Sequence, residues 1–237
     1  MSDYGYGLWA LVAVDSLLVI AFAVSFFHPQ SRRDWRTLGG FAAFIVALFS
    51  EMYGYPLTIY LLSSALGSNL GLSHASGHLW NDLIGWTGNP MLSPPHLASY
   101  VLIIAGFWLV AGAWRVLFAA QRGGDLATAG AYSRIRHPQY AGLLLVMVGF
   151  LVQWPTIPTL LMFPVLAVSY RRLAIREERD AREQFGKRWD AYAEATPRML
   201  PRLRRRPIGG EQPLTAAASD GRHLRVGRSP SGARKDG

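Results

Sequence analysis

DLATAGAYSRIRHPQYAG, residues Asp125 to Gly142, is a polar, arginine-rich loop set between two long apolar segments, and the arrangement of the chain is read outward from it. Pro138 has no backbone N–H and drives His137 away from the α region, so Arg136-His137-Pro138 is expected to form an extended corner with a helix starting near Gln139. His137 and Tyr140 then stand at a helix entrance. Unpaired backbone N–H groups and positive dipole character suit such an entrance to the carboxylate or other polar groups of a small ligand. Read more simply, the same stretch is a positively charged loop at a membrane surface, with a proline at the first helical position.

The chain of 237 residues is 51% hydrophobic and only 16% charged, which points to a membrane protein rather than one or two soluble domains. Cysteine is absent, which excludes disulfides, thiolate metal sites and a cysteine nucleophile. The net charge of +9 does not argue for nucleic acid. Residues 202–237 hold 9 Lys and Arg against 3 Asp and Glu, so this tail supplies +6 of it and the body is nearly balanced.

Gly7 to Phe27 is a run of 21 residues whose only ionisable member is Asp15, long enough to span a bilayer. With no basic region before it and no small-residue cleavage site, it reads as a retained helix. Arg32, Arg33 and Arg36 follow, then a second apolar segment from Phe41 to about Leu66, interrupted by Glu51 and Pro56. A carboxylate beside Gly54 and Pro56 in a membrane helix suggests a kink that lines a cavity. Glu51, Tyr53, Gly54 and Tyr55 are accordingly expected on the acceptor side of any site. The 30 residues from Gly67 to His96 contain no Lys or Arg and are placed on the extracytoplasmic side. His74, His78 and Asp82 lie there at one-turn spacings, but Gly and Ser surround them and no HExxH pattern is present, so no metal site is expected.

A third span runs from Leu97 to Ala120, and Gln139 to Trp154 with Thr156 to Tyr170 form two shorter apolar stretches around Pro155. A tight helical hairpin is expected from them. All the basic clusters fall on one side if the chain crosses five times with its N terminus outside. The expected architecture is all-α: a polytopic helical membrane protein of about five transmembrane segments with a cytoplasmic C-terminal helix. Its parts are residues 1–120, an N-terminal group of segments; 121–201, a cofactor-binding core; and 202–237, a basic tail without apolar periodicity. Arg171 to Tyr192 reads as a charged helix on which Phe185, Trp189 and Tyr192 share one face, suited to a membrane surface or to the protein's own cytoplasmic mouth.

RIRHPQYAG at 134–142, preceded by LATAGAY at 126–132 and followed by EERDAREQFGKRWDAYAEATP at 177–197, resembles the isoprenylcysteine carboxyl methyltransferases and the related phospholipid N-methyltransferases. These are integral-membrane enzymes that use S-adenosylmethionine. The resemblance covers about 121 to 201 and implies a cofactor site made from Gly124, Asp125, Leu126 and Ala127, from Tyr132, from His137, Pro138, Gln139 and Tyr140, and from Glu177. Asp125 stands where members of the family often have His, and Trp189 where Tyr is usual. Leu173 stands where the isoprenylcysteine enzymes place an Arg that meets the acceptor carboxylate, with Arg172 and Arg176 flanking it as substitutes on the acceptor side.

The cofactor's sulfonium and ammonium suit Glu177, its carboxylate and ribose suit His137 and exposed backbone N–H groups, and its sulfonium or adenine suits the tyrosines. Glu178, Glu51 and His137 are available as bases, but none has a second acid-base partner at a convincing spacing, so no catalytic residue is assigned. The expected function is methyl transfer to a lipophilic or small apolar acceptor: an isoprenylcysteine-like carboxylate, a phospholipid amine or a thiol. Membrane lipids are expected partners and nucleic acid is not. The expected location is the inner or plasma membrane, with the C terminus and cofactor site cytoplasmic. The alternative is a non-catalytic membrane sensor or scaffold that works through its extracytoplasmic histidine loop.

Overall fold

The computed structural model describes residues 6–26, 32–66 and 79–201, whose regular structure is all helix, with no strand among them. Helix α1 (Trp9–Phe26) is apolar on every side and leaves Trp9, Leu17, Leu18 and Phe22 exposed. Helix α2 (Arg32–Phe49) runs into a π turn, Ser50–Gly54, and then into α3 (Leu57–Leu66). The short α4 (Leu79–Ile84) precedes the long α5 (Pro94–Gly123). Helices α6 (Pro138–Gln153), α7 (Ile157–Phe185) and α8 (Lys187–Ala195) complete the described chain. Among the described residues, three stretches are long and apolar enough to cross a membrane: Trp9–Phe26, Asp34–Gly54 and Pro94–Gly123. Helix α6 is apolar but only 16 residues long.

The second apolar segment is two helices, not one kinked helix. Pro56 holds Tyr55 extended, at φ −135° and ψ 117°, and the Tyr55 N–H reaches back to the Ser50 carbonyl at 2.8 Å. Backbone groups released by the turn find partners nearby. The Gly7 N–H donates to the Tyr53 and Gly54 carbonyls at 3.0 and 2.8 Å, and the Leu8 N–H to Tyr53 at 3.0 Å. Glu51 is buried, and its carboxylate accepts from the Thr58 N–H at 3.0 Å, capping the first turn of α3. A side chain at Gly54 would meet the Trp9 ring at 2.8 Å. This kink seats the start of α1.

Helices α5 and α6 pack antiparallel with their backbones in contact, because Gly106, Gly142 and Gly149 remove the side chains that would hold them apart. Helix α6 therefore pairs far more closely with α5 than with α7, its expected hairpin partner, and the turn between them, Trp154 to Thr156, falls slightly before the Pro155 to Pro158 expected, with Pro158 already in the first turn of α7. Thr156 caps α7 by accepting from the Thr159 N–H at 3.2 Å. Helix α7 passes through Pro164 and continues from apolar to charged sequence without a break. Gly186, at φ +54°, ends it. Phe185 thus belongs to α7 while Trp189 and Tyr192 belong to α8, which corrects the reading of all three on one helix face.

The core lies where α2, α5, α6 and α7 meet, with Phe41, Phe44, Ile45, Leu48, Val110, Leu143, Val146, Met147 and Tyr170 all buried. It draws on residues from both sides of position 120, so 1–120 and 121–201 share one interior. His74, His78 and residues 202–237 lie outside the described residues. His96 is buried at the start of α5, its Nδ1 3.4 Å from the Ser93 hydroxyl.

Candidate functional site

Helix α5 ends at Gly124, whose left-handed φ of +63° turns the chain sharply. The Asp125 N–H returns to the Ala120 carbonyl at 2.9 Å, and the Asp125 carboxylate accepts from the Leu126 N–H at 2.8 Å and from Arg188 of α8 at 2.7 Å. A 3-10 turn, Gly130–Ser133, buries Tyr132 against Ala113 and Ala127. Helix α6 then starts at Pro138 with His137 outside it at φ −128° and ψ 62°, kept out of the α region as expected before proline but short of the fully extended corner the sequence suggests.

A strap beyond α8 clasps this corner. The Arg136 N–H donates to the Pro197 carbonyl at 2.8 Å and the His137 N–H to the Arg198 carbonyl at 2.9 Å. The Arg198 guanidinium grips both oxygens of Glu178, at 2.8 and 2.7 Å. Arg136 Nε lies 3.2 Å from Glu178 Oε1, and Arg136 Nη1 donates to the Ala193 carbonyl at 3.0 Å. The Tyr192 hydroxyl, which burial pushes up to about 12 against the opposing charge of Arg136, donates to the Tyr132 carbonyl at 2.7 Å.

His137 stands between the two glutamates. Its Nε2 is 3.2 Å from Glu178 Oε1, and its Nδ1 is 3.4 Å from Glu177 Oε2 without hydrogen-bond geometry. Burial favours the neutral ring most strongly, yet the contacts and charges of Glu177 and Glu178 together outweigh it and raise the pKa above the ordinary 6.5. Burial likewise opposes ionisation of Glu178, but Arg198, His137 and Arg136 hold it at about 2. Glu177 keeps 29% of its side chain exposed and accepts from the Tyr140 hydroxyl at 2.5 Å. Tyr140 in turn stacks between His137 and Tyr170, with ring centroids at 5.8 and 5.5 Å.

These elements surround a cavity of about 720 Å³. Nine of the ten cofactor residues expected from the sequence line it: Gly124, Asp125, Leu126, Ala127, Tyr132, His137, Gln139, Tyr140 and Glu177. Pro138 is buried at the start of α6 and is not on the wall. The acceptor-side residues are not brought there. Glu51, Tyr53, Gly54 and Tyr55 belong to the π turn and its exit, and Arg172 and Arg176 line a second, smaller cavity. Sequence reasoning missed Arg32, Asp34 and Thr37 of α2, Trp114 of α5 and the Arg136–Arg198 clamp. Nothing local marks these residues, because only the packing of α2 and of the strap brings them to the loop.

The linkage carried by His137 has a definite sign. A folded pKa above 6.5 adds stability that is complete below about 6.5 and fades as pH rises through the higher folded value. Glu178 adds stability that is complete above its ordinary 4.5 and is lost as pH falls toward about 2. Thermal unfolding in detergent from about pH 6 to about pH 9 is therefore expected to show a falling midpoint for the wild type. His137→Gln should have a lower midpoint at pH 6 and a flatter profile. Equal slopes would show that folding does not raise the pKa of His137.

No protein-family model, curated protein or solved structure matches this chain.

Proposed function

We propose that the protein is an integral-membrane methyltransferase that takes a methyl group from S-adenosylmethionine and transfers it to a lipophilic or small apolar acceptor. What carries the reading is convergence. The stretches 124–127, 132–140 and 177–192 are separate in sequence and carry the resemblance to one family of methyltransferases, and each contributes residues to the wall of one cavity of about 720 Å³. That volume suits a small-molecule or cofactor site.

The residues present fit the cofactor. Asp34, Asp125, Glu177 and Asp180 face the cavity together with Arg32, Arg136 and His137, a mixture of both signs that suits a ligand carrying cationic and anionic groups. Glu177 opens onto the cavity and suits a cationic group, and Trp114, Tyr132, Phe185 and Trp189 provide aromatic faces for a sulfonium or a purine. The buried Nδ1 of His137, lacking an aligned protein partner, is available to a carboxylate or ribose oxygen. When bound, the cofactor supplies an electrophilic methyl group on sulfur.

The chain's own contribution is positioning and exclusion of water. Glu178, gripped by Arg198 and Arg136, fixes the His137 ring, while Tyr140 fixes Glu177. A nucleophile that approaches a sulfonium neutralises its charge as the bond forms, so a dry and preordered site favours the reaction without an acid-base pair. A carboxylate or thiolate acceptor needs no base, and an amine must only be neutral.

Five crossings with the N terminus outside place the basic residues Arg32, Arg36, Arg122 and Arg171 at the cytoplasmic side. This topology counts α6 and the apolar half of α7 as spans and puts α8 and the cavity in the cytoplasm. The cavity then opens where a soluble cofactor arrives, and an apolar acceptor enters from the bilayer.

Transfer of labelled methyl into a lipid extract, a prenylated-cysteine analogue and a volatile thiol, run in parallel, tests the reading and sorts the acceptor class. Labelled product in one arm is the expected result. Absence of product in all three, together with absence of cofactor binding, would favour a non-catalytic membrane protein.

A further inference from the structure

The second cavity, of about 290 Å³, lies between the start of α2 and the middle of α7. Arg36, Arg172 and Arg176 form its polar wall, and Leu166 and Leu173 its apolar one. It is distinct from the methyl-transfer cavity. Tyr170 stands at the partition, its hydroxyl donating to the Thr37 carbonyl at 3.0 Å and its ring stacked on Tyr140. Helices α2 and α7 approach closely here because Gly40 has no side chain, a Cβ there coming within 2.8 Å of Leu166.

The three guanidiniums are exposed, and none pairs with a carboxylate among the described residues. Elsewhere on the same surface arginines do find acids, as Arg182 does with Asp190 and Arg188 with Asp125. Three like charges in one groove repel one another unless an anion joins them. The surface leading to the groove is apolar. Leu161, Val165 and Val168 are exposed on α7, and steps of four and three residues put them on the face that continues to Arg172 and Arg176. An oily ridge ending in a cluster of guanidinium forks matches a molecule with an acyl chain and a phosphate head.

We propose that this groove binds an anionic phospholipid, its phosphodiester held by Arg36, Arg172 and Arg176 and its chain laid along Leu161, Val165 and Val168. The site rests on the membrane-embedded part of the reading above and not on methyl transfer. Bound lipid would tie α2 to α7, the two helices that also carry Thr37 and Glu177 to the larger cavity.

Native mass spectrometry of the purified full chain in mild detergent, titrated with phosphatidylglycerol or phosphatidylcholine of the same acyl chains, tests the proposal. The wild type is expected to retain phosphatidylglycerol with a preference of about tenfold or more. The triple variant R36Q/R172Q/R176Q should lose that preference, and the single variants Arg36→Gln and Arg172→Gln should each lose part of it. R171Q/R179Q, which removes two exposed charges of the same helix that do not line the groove, should retain it. Equal retention of both lipids by the wild type would overturn the site, as would equal loss in the R171Q/R179Q control. Displacement of the lipid by inorganic phosphate alone would overturn the assignment to a lipid. S-adenosylmethionine binding, measured on the same samples, separates failure of this site from failure of the methyltransferase reading.

Discussion

Glu177→Gln is expected to weaken S-adenosylmethionine binding by about 10- to 150-fold, the equivalent of about 1.5–3 kcal/mol for a lost charge-assisted contact. Glu177 opens onto the larger cavity, while Tyr140 holds one of its oxygens at 2.5 Å and His137 approaches the other. The substitution keeps the shape and the acceptor for Tyr140 and removes the negative charge. His137 keeps Glu178, so the corner at Pro138 should stay folded, with only a small drop in the unfolding midpoint at low pH from the part of the His137 linkage that Glu177 supplies. Glu183→Gln, an exposed position on the same helix, is expected to bind labelled cofactor as the wild type does. Equal loss in both variants would mean that the charged half of α7 contributes only general electrostatics.

Gly142→Leu should fail to yield folded, monodisperse protein, and Gly142→Ala should already lower the unfolding midpoint. A Cβ at Gly142 comes within 2.8 Å of the Gly106 carbonyl oxygen and 3.1 Å of the Val110 N–H, which are backbone atoms of α5 and cannot rotate aside. Relief requires the two helices to separate. Overpacking of this kind costs about 1–3 kcal/mol for a small insertion and more for a large one. The effect should reach the site, since the end of α5 leads into Gly124–Ala127 and the start of α6 carries His137–Tyr140. Gly112→Ala, on α5 with open space around it, is the control and should be neutral or stabilising by up to about 1 kcal/mol. Size-exclusion profiles and melting curves decide the matter, and equal behaviour of the two alanine variants would refute the close contact.

The loop from Asp125 to Gly142 was legible because its signals are local: a proline that sets its own φ and restrains its neighbour, and a glycine at the end of a helix. The apolar runs gave the helices for the same reason. Their partners were not legible. Helices such as α1 and α6 are apolar on nearly every side, so periodicity names no buried face, and the pairing of α6 with α5 depends on glycines whose meaning appears only when a second backbone lies against them. The π turn at Ser50–Gly54 looked like a cavity wall because Glu51 and Pro56 are unusual in a membrane helix. In the structure the carboxylate caps α3 and the released carbonyls receive the start of α1. Arg198 escaped notice because its partner, Glu178, is 20 residues away across the turn at Gly186.

Calorimetric titration of the purified full chain in detergent tests most directly whether the cavity between the ends of α2, α5, α7 and α8 is an S-adenosylmethionine site. Saturable binding of one cofactor per chain is expected, at least about tenfold weaker in Glu177→Gln and unaltered in Glu183→Gln. Absence of saturable heat from a folded, monodisperse wild-type sample, or saturation indifferent to Glu177, would contradict it.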